Sequence, residues 1–464
     1  MGKFVTNIFL FIALVSFKTN VVSAQKIRVD SIVFQGNERT KISILRRELD
    51  FGENDSLLTE ELDKRLEFNR RKLMNTNLFI WVKYDYKVNK QGNLSIQFEF
   101  LEQLYTLVFP IFSIADRNLS DWLNKGADPK RIIYGINGIQ NNLTGRNEKI
   151  GINLETGFTQ RIDLSFSNPY IDSKKRFGLF TGFTYQTSKN LAYSSRNDTL
   201  LYLNSGQVLR ERWSGLLGFR KRIKFYDFQS LELRYHNIRI NDEVFNLNPH
   251  YLPNRTEKSE FIQLSYRFSY DYRDFATYPL RGRKVDVIVN YTGLTGNLKF
   301  NYYDFGIGYE RYIPLGSNFY LSSTHKLKFT QYGKEVPYFL TQGLGYGSNV
   351  VRGYELNVID GNNFYINRNT FKFQLINKIY NVPFLKYKQI NQIPLSIYPT
   401  AFIDFGYVNI GQENYFNSKL GGKLLYGYGI GLDLVTYYNL VTKIIFPAGN
   451  GNLSGIRVSV GREF

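Results

Sequence analysis

Apolar and polar residues alternate one by one through most of this chain. Ile262, Leu264, Tyr266, Phe268 and Tyr270 alternate with Gln263, Ser265, Arg267, Ser269 and Asp271. Tyr303, Phe305, Ile307 and Tyr309 alternate with Asp304, Gly306, Gly308 and Glu310, and Tyr426 to Leu434 alternates with Gly427, Gly429, Gly431 and Asp433. A period of two marks a strand with unlike faces. The repeating unit is about ten residues, the length at which a tilted strand crosses a bilayer. Some sixteen such segments follow residue 102. The first eight fall near 104–112, 131–140, 148–158, 160–167, 177–187, 212–221, 229–240 and 259–271. The rest fall near 284–291, 300–312, 318–330, 364–377, 394–408, 423–435, 440–446 and 455–464. An even number suits a closed antiparallel barrel, and the long connections (113–130, 188–211, 241–258, 331–363) all follow odd-numbered strands. Residues 103–464 therefore read as a 16-stranded antiparallel transmembrane β-barrel, and the chain as an all-β membrane protein with a small α+β domain in front. A soluble sandwich would also alternate, but with a polar outside and fewer aromatics.

Two segments precede the barrel. Residues 1–24 read as a signal peptide: Lys3, then the apolar run Ile8 to Phe17, then Val22-Ser23-Ala24 as a cleavage site. Residues 25–102 change period. A strand, Ile27 to Phe34, ends in the turn Gly36-Asn37. Thr40 is placed to cap a helix carrying Ile44, Leu45 and Leu49. Thr59-Glu60-Glu61 opens a second helix with Leu62, Leu66 and Leu73 inward, and strands follow at Phe79–Tyr86 and Leu94–Phe100. The predicted order is β-α-α-β-β.

Composition narrows the chemistry. The chain has 35 Tyr and 38 Phe but no Cys, which excludes disulfides and Cys-ligated zinc. Its three His, His236, His250 and His325, are far apart, so no metal site is expected. No G-x-S-x-G elbow is present, and an enzyme is not expected. Of the net charge of +19, +2 lies in residues 1–24 and +1 in 25–102, leaving +16 on the barrel. Basic rims suit anionic lipid head groups.

The segments "IRVDSIVFQGNERTKISILRRELDF", "NRRKLMNTNLFIWVKYDY" and "LSIQFEFLEQ" resemble a POTRA domain. The rest resembles the barrel of the BamA/TamA-type outer-membrane assembly superfamily. Asn141-Asn142-Leu143-Thr144-Gly145-Arg146, Asn168-Pro169-Tyr170, and Asp271-Tyr272-Arg273-Asp274 with Pro279 and Gly282 match family turns in order. Val351-Arg352-Gly353-Tyr354 is similar to the tip of the family's sixth loop, which folds back into the lumen. An inward Arg needs a partner. "AFIDFGYV" places Asp404 inward on strand thirteen, and Gln374 stands where the family usually has an inward Glu. The terminal Phe464 resembles the targeting signal of outer-membrane barrels.

The resemblance implies a factor that assembles, inserts or translocates outer-membrane proteins without covalent chemistry or cofactor. Its seat would be the bacterial outer membrane, with the N-terminal domain in the periplasm. Its partners would be unfolded outer-membrane protein clients, accessory assembly lipoproteins and outer-membrane lipids; nucleic acid is not expected. The family's weak seam joins the first and last strands, and Pro110, Gly455 and Gly461 suit one. A single POTRA domain favours an accessory or specialised role. Two other readings stay open at this point: a passive anion-favouring pore, and a two-partner-type secretion translocator, which would carry two POTRA domains and a plug helix.

Overall fold

The computed structural model describes residues 25–114, 126–224, 226–293, 301–332, 336–383, 391–409, 418–436, 440–449 and 455–462. The proposed signal peptide and Phe464 lie outside the described residues.

The N-terminal domain packs two helices on a four-stranded sheet. Its elements are β1 (Lys26–Gln35), α1 (Ile42–Arg47), β2 (Ser56–Leu58), α2 (Leu62–Met74), β3 (Phe79–Val88) and β4 (Leu94–Glu102). The sheet order is β2-β1-β4-β3, with β1 and β4 parallel. Val29, Leu45, Leu66, Leu73, Ile96 and Phe98 form its core. Gly36 turns with φ at +87°, and a Cβ there would come within 2.3 Å of the Phe100 carbonyl, so only Gly fits. Two expectations need correction. The three-residue β2, paired to the start of β1, is an addition. Thr40 is not the helix cap: that position is Lys41, with no side-chain bond, while Thr40 bonds the Tyr105 hydroxyl at 3.0 Å.

The barrel opens with β5 (Thr106–Ile114), β6 (Ile132–Asn141), β7 (Lys149–Gly157), β8 (Arg161–Asn168) and β9 (Phe177–Ser188). A hairpin, β10 (Asn190–Arg196) and β11 (Thr199–Asn204), stands outside the ring. The ring continues with β12 (Arg210–Arg222), β13 (Asp227–Ile240), β14 (Lys258–Arg273), β15 (Gly282–Thr292), β16 (Tyr302–Gly316) and β17 (Phe319–Tyr332). The short helix α3 (Asp242–Leu247) lies between β13 and β14. Two short strands, β18 (Gln342–Leu344) and β19 (Ile359–Asp360), pair within the loop after β17. The ring ends with β20 (Asn363–Phe373), β21 (Ile376–Asn381), β22 (Gln392–Asn409), β23 (Leu425–Thr436), β24 (Leu440–Gly449) and β25 (Arg457–Arg462). β20 and β21 both pair with β22 and form one strand broken at Gln374 and Leu375. Counted so, sixteen strands close the barrel among the described residues, β25 returning to β5.

Alternation sorts side chains between lipid and lumen. Leu231, Leu233, Phe305, Ile307, Ile403 and Ile430 are exposed on the outer wall. Asp404, Asp433 and Lys372 are buried on the inner one. One outward patch on β17 and β20 is polar: Ser323 bonds Asn369 at 2.7 Å, and Asn369 bonds Asn367 at 2.6 Å. These mutual bonds satisfy groups that lipid cannot.

Candidate functional site

The loop between β17 and β20 turns back against the inner wall. Val351 and Tyr354 are buried and pack with Leu344, Ile366, Val408 and Leu425. Between them Arg352 enters a site built by β20 and β22. Its Nη2 and Nε lie 2.5 and 2.8 Å from the two oxygens of Asp404, and its backbone N–H donates to the same carboxylate at 3.1 Å. Asp404 is 0% exposed, so this fork provides the counter-charge that a buried carboxylate requires. Nη2 also donates to Thr370 Oγ1 at 3.0 Å, and the guanidinium carbon sits 3.9 Å from the centre of the Phe402 ring.

The wall is shaped to receive the loop backbone. A Cβ on Gly427 would fall 1.7 Å from the Arg352 carbonyl oxygen, and one on Gly406 2.4 Å from Val351. Gly353 has φ at +98°, and its N–H donates to both Glu355 carboxylate oxygens at 3.0 Å. Arg368, directly opposite Asp404 in the β20–β22 ladder, donates to the carbonyls of Val350, at 2.9 Å, and of Ser348.

Gln374 is not a partner of Arg352. It lies at the break below β20, where its Oε1 accepts from the Tyr320 hydroxyl at 3.0 Å. Parity made it inward, but it is six residues from Arg368, the residue level with Asp404. Thr370 takes the second position. Sequence reasoning missed Thr370, Arg368 and Phe402; Phe402 carried a signal, since it is the aromatic two residues before Asp404.

The closing strand is short among the described residues. β25 holds six residues, and its ladder with β24 runs from Leu440↔Arg462 to Ile445↔Arg457. Phe446 to Gly449 of β24 extend beyond it and pair with β23. Gly461 lies in β25 opposite Val441, whereas Gly455 precedes the strand, whose start is two residues later than expected. Pro110 lies in β5 opposite Ile136.

The N-terminal domain sits against the turns at one end of the barrel. Glu48 pairs with Arg222 at 2.9 Å, with side chains 9% and 7% exposed, and accepts from the Tyr170 hydroxyl at 2.7 Å. Asn142 Nδ2 donates to Thr40 Oγ1 at 3.0 Å. Asn75 Nδ2 donates to the Asp274 carbonyl at 3.0 Å, and its Oδ1 accepts from the Ala276 N–H at 3.2 Å. Trp81 of β3 donates to Gln392 Oε1 at 3.1 Å. The three sequence-matched turns are thus among those the domain rests on.

At the opposite end the β10–β11 hairpin clasps two loops. Asp198 at its tip accepts from the Lys419 and Leu420 N–H groups at 2.9 and 3.1 Å, and its carbonyl accepts from the Val358 N–H at 2.9 Å. Ser195 and Tyr346 donate to Asp360. Burial pushes the Asp360 carboxyl above its ordinary range; those two donors oppose the shift and Asp198 adds to it. Among the described residues no three His, Cys, Asp or Glu side chains gather as a metal site would.

The Omp85 superfamily domain matches residues 142–436. The POTRA family, described as surface antigen variable number repeat, matches residues 27–102. No curated protein matches the chain in sequence. Among solved structures, BamA from Haemophilus ducreyi lacking POTRA domains 1–3 aligns with a TM-score of 0.51 at 18% identity, over 93% of this chain and 83% of that one. CdiB from Escherichia coli aligns with a TM-score of 0.53 at 12% identity, over 94% and 75%. CdiB from Acinetobacter baumannii aligns with a TM-score of 0.50 at 14% identity, over 94% and 73%. At these identities the structural likeness concerns the fold.

Proposed function

The chain belongs to the Omp85 superfamily, with its barrel in the outer membrane and its POTRA domain in the periplasm, and from that premise we propose that it inserts unfolded outer-membrane proteins through the wall between β25 and β5. The family places it in the class of outer-membrane insertion or translocation factors; the route and the clients are our reading. The observation that carries it is the upper end of β24, where, among the described residues, Phe446 to Gly449 run past the last rung shared with β25. Free backbone donors and acceptors at a strand edge are a template for an incoming strand. Pro110 removes one donor from β5. The POTRA domain delivers extended clients to the mouth, together with accessory lipoproteins, and outer-membrane lipids surround the seam.

The Arg352 clasp serves as an internal brace. It ties the loop to β20 and β22 while the wall opens on the far side of β24. A loop seated in the lumen also favours insertion over the passive-pore reading. The test is reconstitution in proteoliposomes with a urea-unfolded client barrel. Faster appearance of heat-resistant folded client than in empty liposomes supports the reading. Ion conductance with no acceleration contradicts it.

A further inference from the structure

The outer wall of the barrel carries two arginines side by side. Arg283 is the second residue of β15, just past the turn at 274–281 on which Asn75 of the POTRA domain rests. That sets it at the periplasmic leaflet of the membrane. Arg311 of β16 is its direct partner in the β15–β16 ladder. Parity turns both outward. Val285, Val287 and Val289 share the face of Arg283, and Ile307, Tyr309 and Ile313 share the face of Arg311. Of these, Val289, Ile307, Tyr309 and Ile313 are exposed on the wall.

Like charges directly opposite on one sheet face repel, and a bilayer screens them less than water does. The nearby carboxylates are turned away. Asp286, Asp304 and Glu310 have the opposite parity and face the lumen, where Asp286 pairs with Lys284 at 2.6 Å and Glu310 with Arg273 at 3.2 Å. β17 has no acidic residue. Glu260, the outward carboxylate of β14, lies at that strand's far end and pairs with Lys258 at 2.5 Å. Arg283 does meet a ring: its guanidinium carbon is 5.5 Å from the centre of Tyr270. Among the described residues Arg311 has no hydrogen bond or ion pair. The same ladder row continues on both sides. Tyr272 is opposite Arg283, Ser323 is opposite Arg311, and Asn369 is opposite Ser323. The row is thus polar or amphipathic from end to end, on a wall whose other outward residues are mostly apolar.

We propose that Arg283 and Arg311 together bind the phosphate of an anionic phospholipid in the periplasmic leaflet. A phosphodiester has two free oxygens, one for each guanidinium. The rings of Tyr272 and Tyr309 beside the pair suit the boundary between head groups and tails. An ethanolamine head group would bring its ammonium up to the second arginine, so the pair selects a lipid with net negative charge, such as phosphatidylglycerol. The site lies away from the proposed seam, with β22, β23 and β24 between β20 and β25. The inference is independent of client insertion, because it is read by lipid retention alone.

The test reconstitutes the full chain in vesicles of phosphatidylethanolamine and phosphatidylglycerol in equal amounts. The chain is then extracted into mild detergent, and the lipid it retains is read by native mass spectrometry. Phosphatidylglycerol should be retained in clear excess over phosphatidylethanolamine. Arg283→Gln and Arg311→Gln should each lower its retention about fivefold, the effect of one basic side chain at an anionic surface. Arg311→Lys keeps the charge without the fork and should fall between wild type and Arg311→Gln. Lys221, opposite Phe177 at the end of β12, is another outward cation, and Lys221→Gln should change nothing. Heat-resistant mobility on gels checks that each variant is folded. Four results overturn the proposal: no lipid retained by the folded chain, equal retention of the two lipids, undiminished retention in the folded Arg→Gln variants, or an equal loss in Lys221→Gln.

Discussion

Glu48 of the POTRA domain and Arg222 at the end of β12 form an ion pair at 2.9 Å, buried on both sides and 174 residues apart in the chain. Removing one partner leaves an uncompensated charge, a loss of about 3–5 kcal/mol for a fully buried pair. Glu48→Gln or Arg222→Gln should therefore release the domain from the turn at 169–176. Hydrogen exchange at that turn should speed up about a hundredfold in either single variant. The double variant should be no faster than the worse single, as coupled partners behave. Additive effects would mean that the two residues do not act together.

The Arg352–Asp404 fork should behave in the same way inside the lumen. Arg352→Ala and Asp404→Ala should each reduce the heat-resistant barrel on semi-native gels, by less than the fully buried limit because Arg352 is partly solvated. The double variant should match the singles. Arg352→Lys should rescue poorly, since an ammonium cannot span both carboxylate oxygens.

Gly427 makes a sharper test of the loop's seat. Gly427→Ala places a methyl 1.7 Å from the Arg352 carbonyl oxygen, so the loop must move. The barrel should still form, with loss of about 1–3 kcal/mol, and residues 342–362 should become open to protease from outside. Gly215→Ala, with no atom within 4 Å of the new methyl, should change neither property.

Much of this was readable from the chain, and what was hidden has physical reasons. Membrane strands are amphipathic in every case, so sixteen segments announced themselves by period alone. β2, at three residues, is too short for a period. The hairpin β10–β11 and the pair β18–β19 contact protein around them and do not display a lipid face. Asp404 was legible as inward because parity decides it. Its second neighbour was not, because parity left several inward residues on β20 and only the ladder register selects the level of Arg368 and Thr370. Glu48 and Arg222 read as ordinary surface charges until the two domains are placed together.

The outer clasp should respond to pH through Asp360. Burial raises its carboxyl pKa above the unfolded value, so the folded clasp binds the proton more readily than the open chain. That stabilisation is complete below the unfolded value, about 3.9, and is lost as pH rises through the raised one. Hydrogen exchange in Thr199–Asn204, corrected for intrinsic rates, should therefore show more protection below the unfolded value, at about pH 3.5, than at about pH 8. Asp360→Asn should remove that difference.

Client entry between β25 and β5, as proposed above, can be blocked directly. Because the chain has no Cys, pairs of cysteines placed in Thr106–Ile114 and Arg457–Arg462 lock only this seam. The measurement is the rate of client insertion by one reconstituted preparation, oxidised and then reduced. Insertion should stop in the locked barrel and return with reductant, while the fold is unchanged. Full insertion by a fully cross-linked barrel would contradict it.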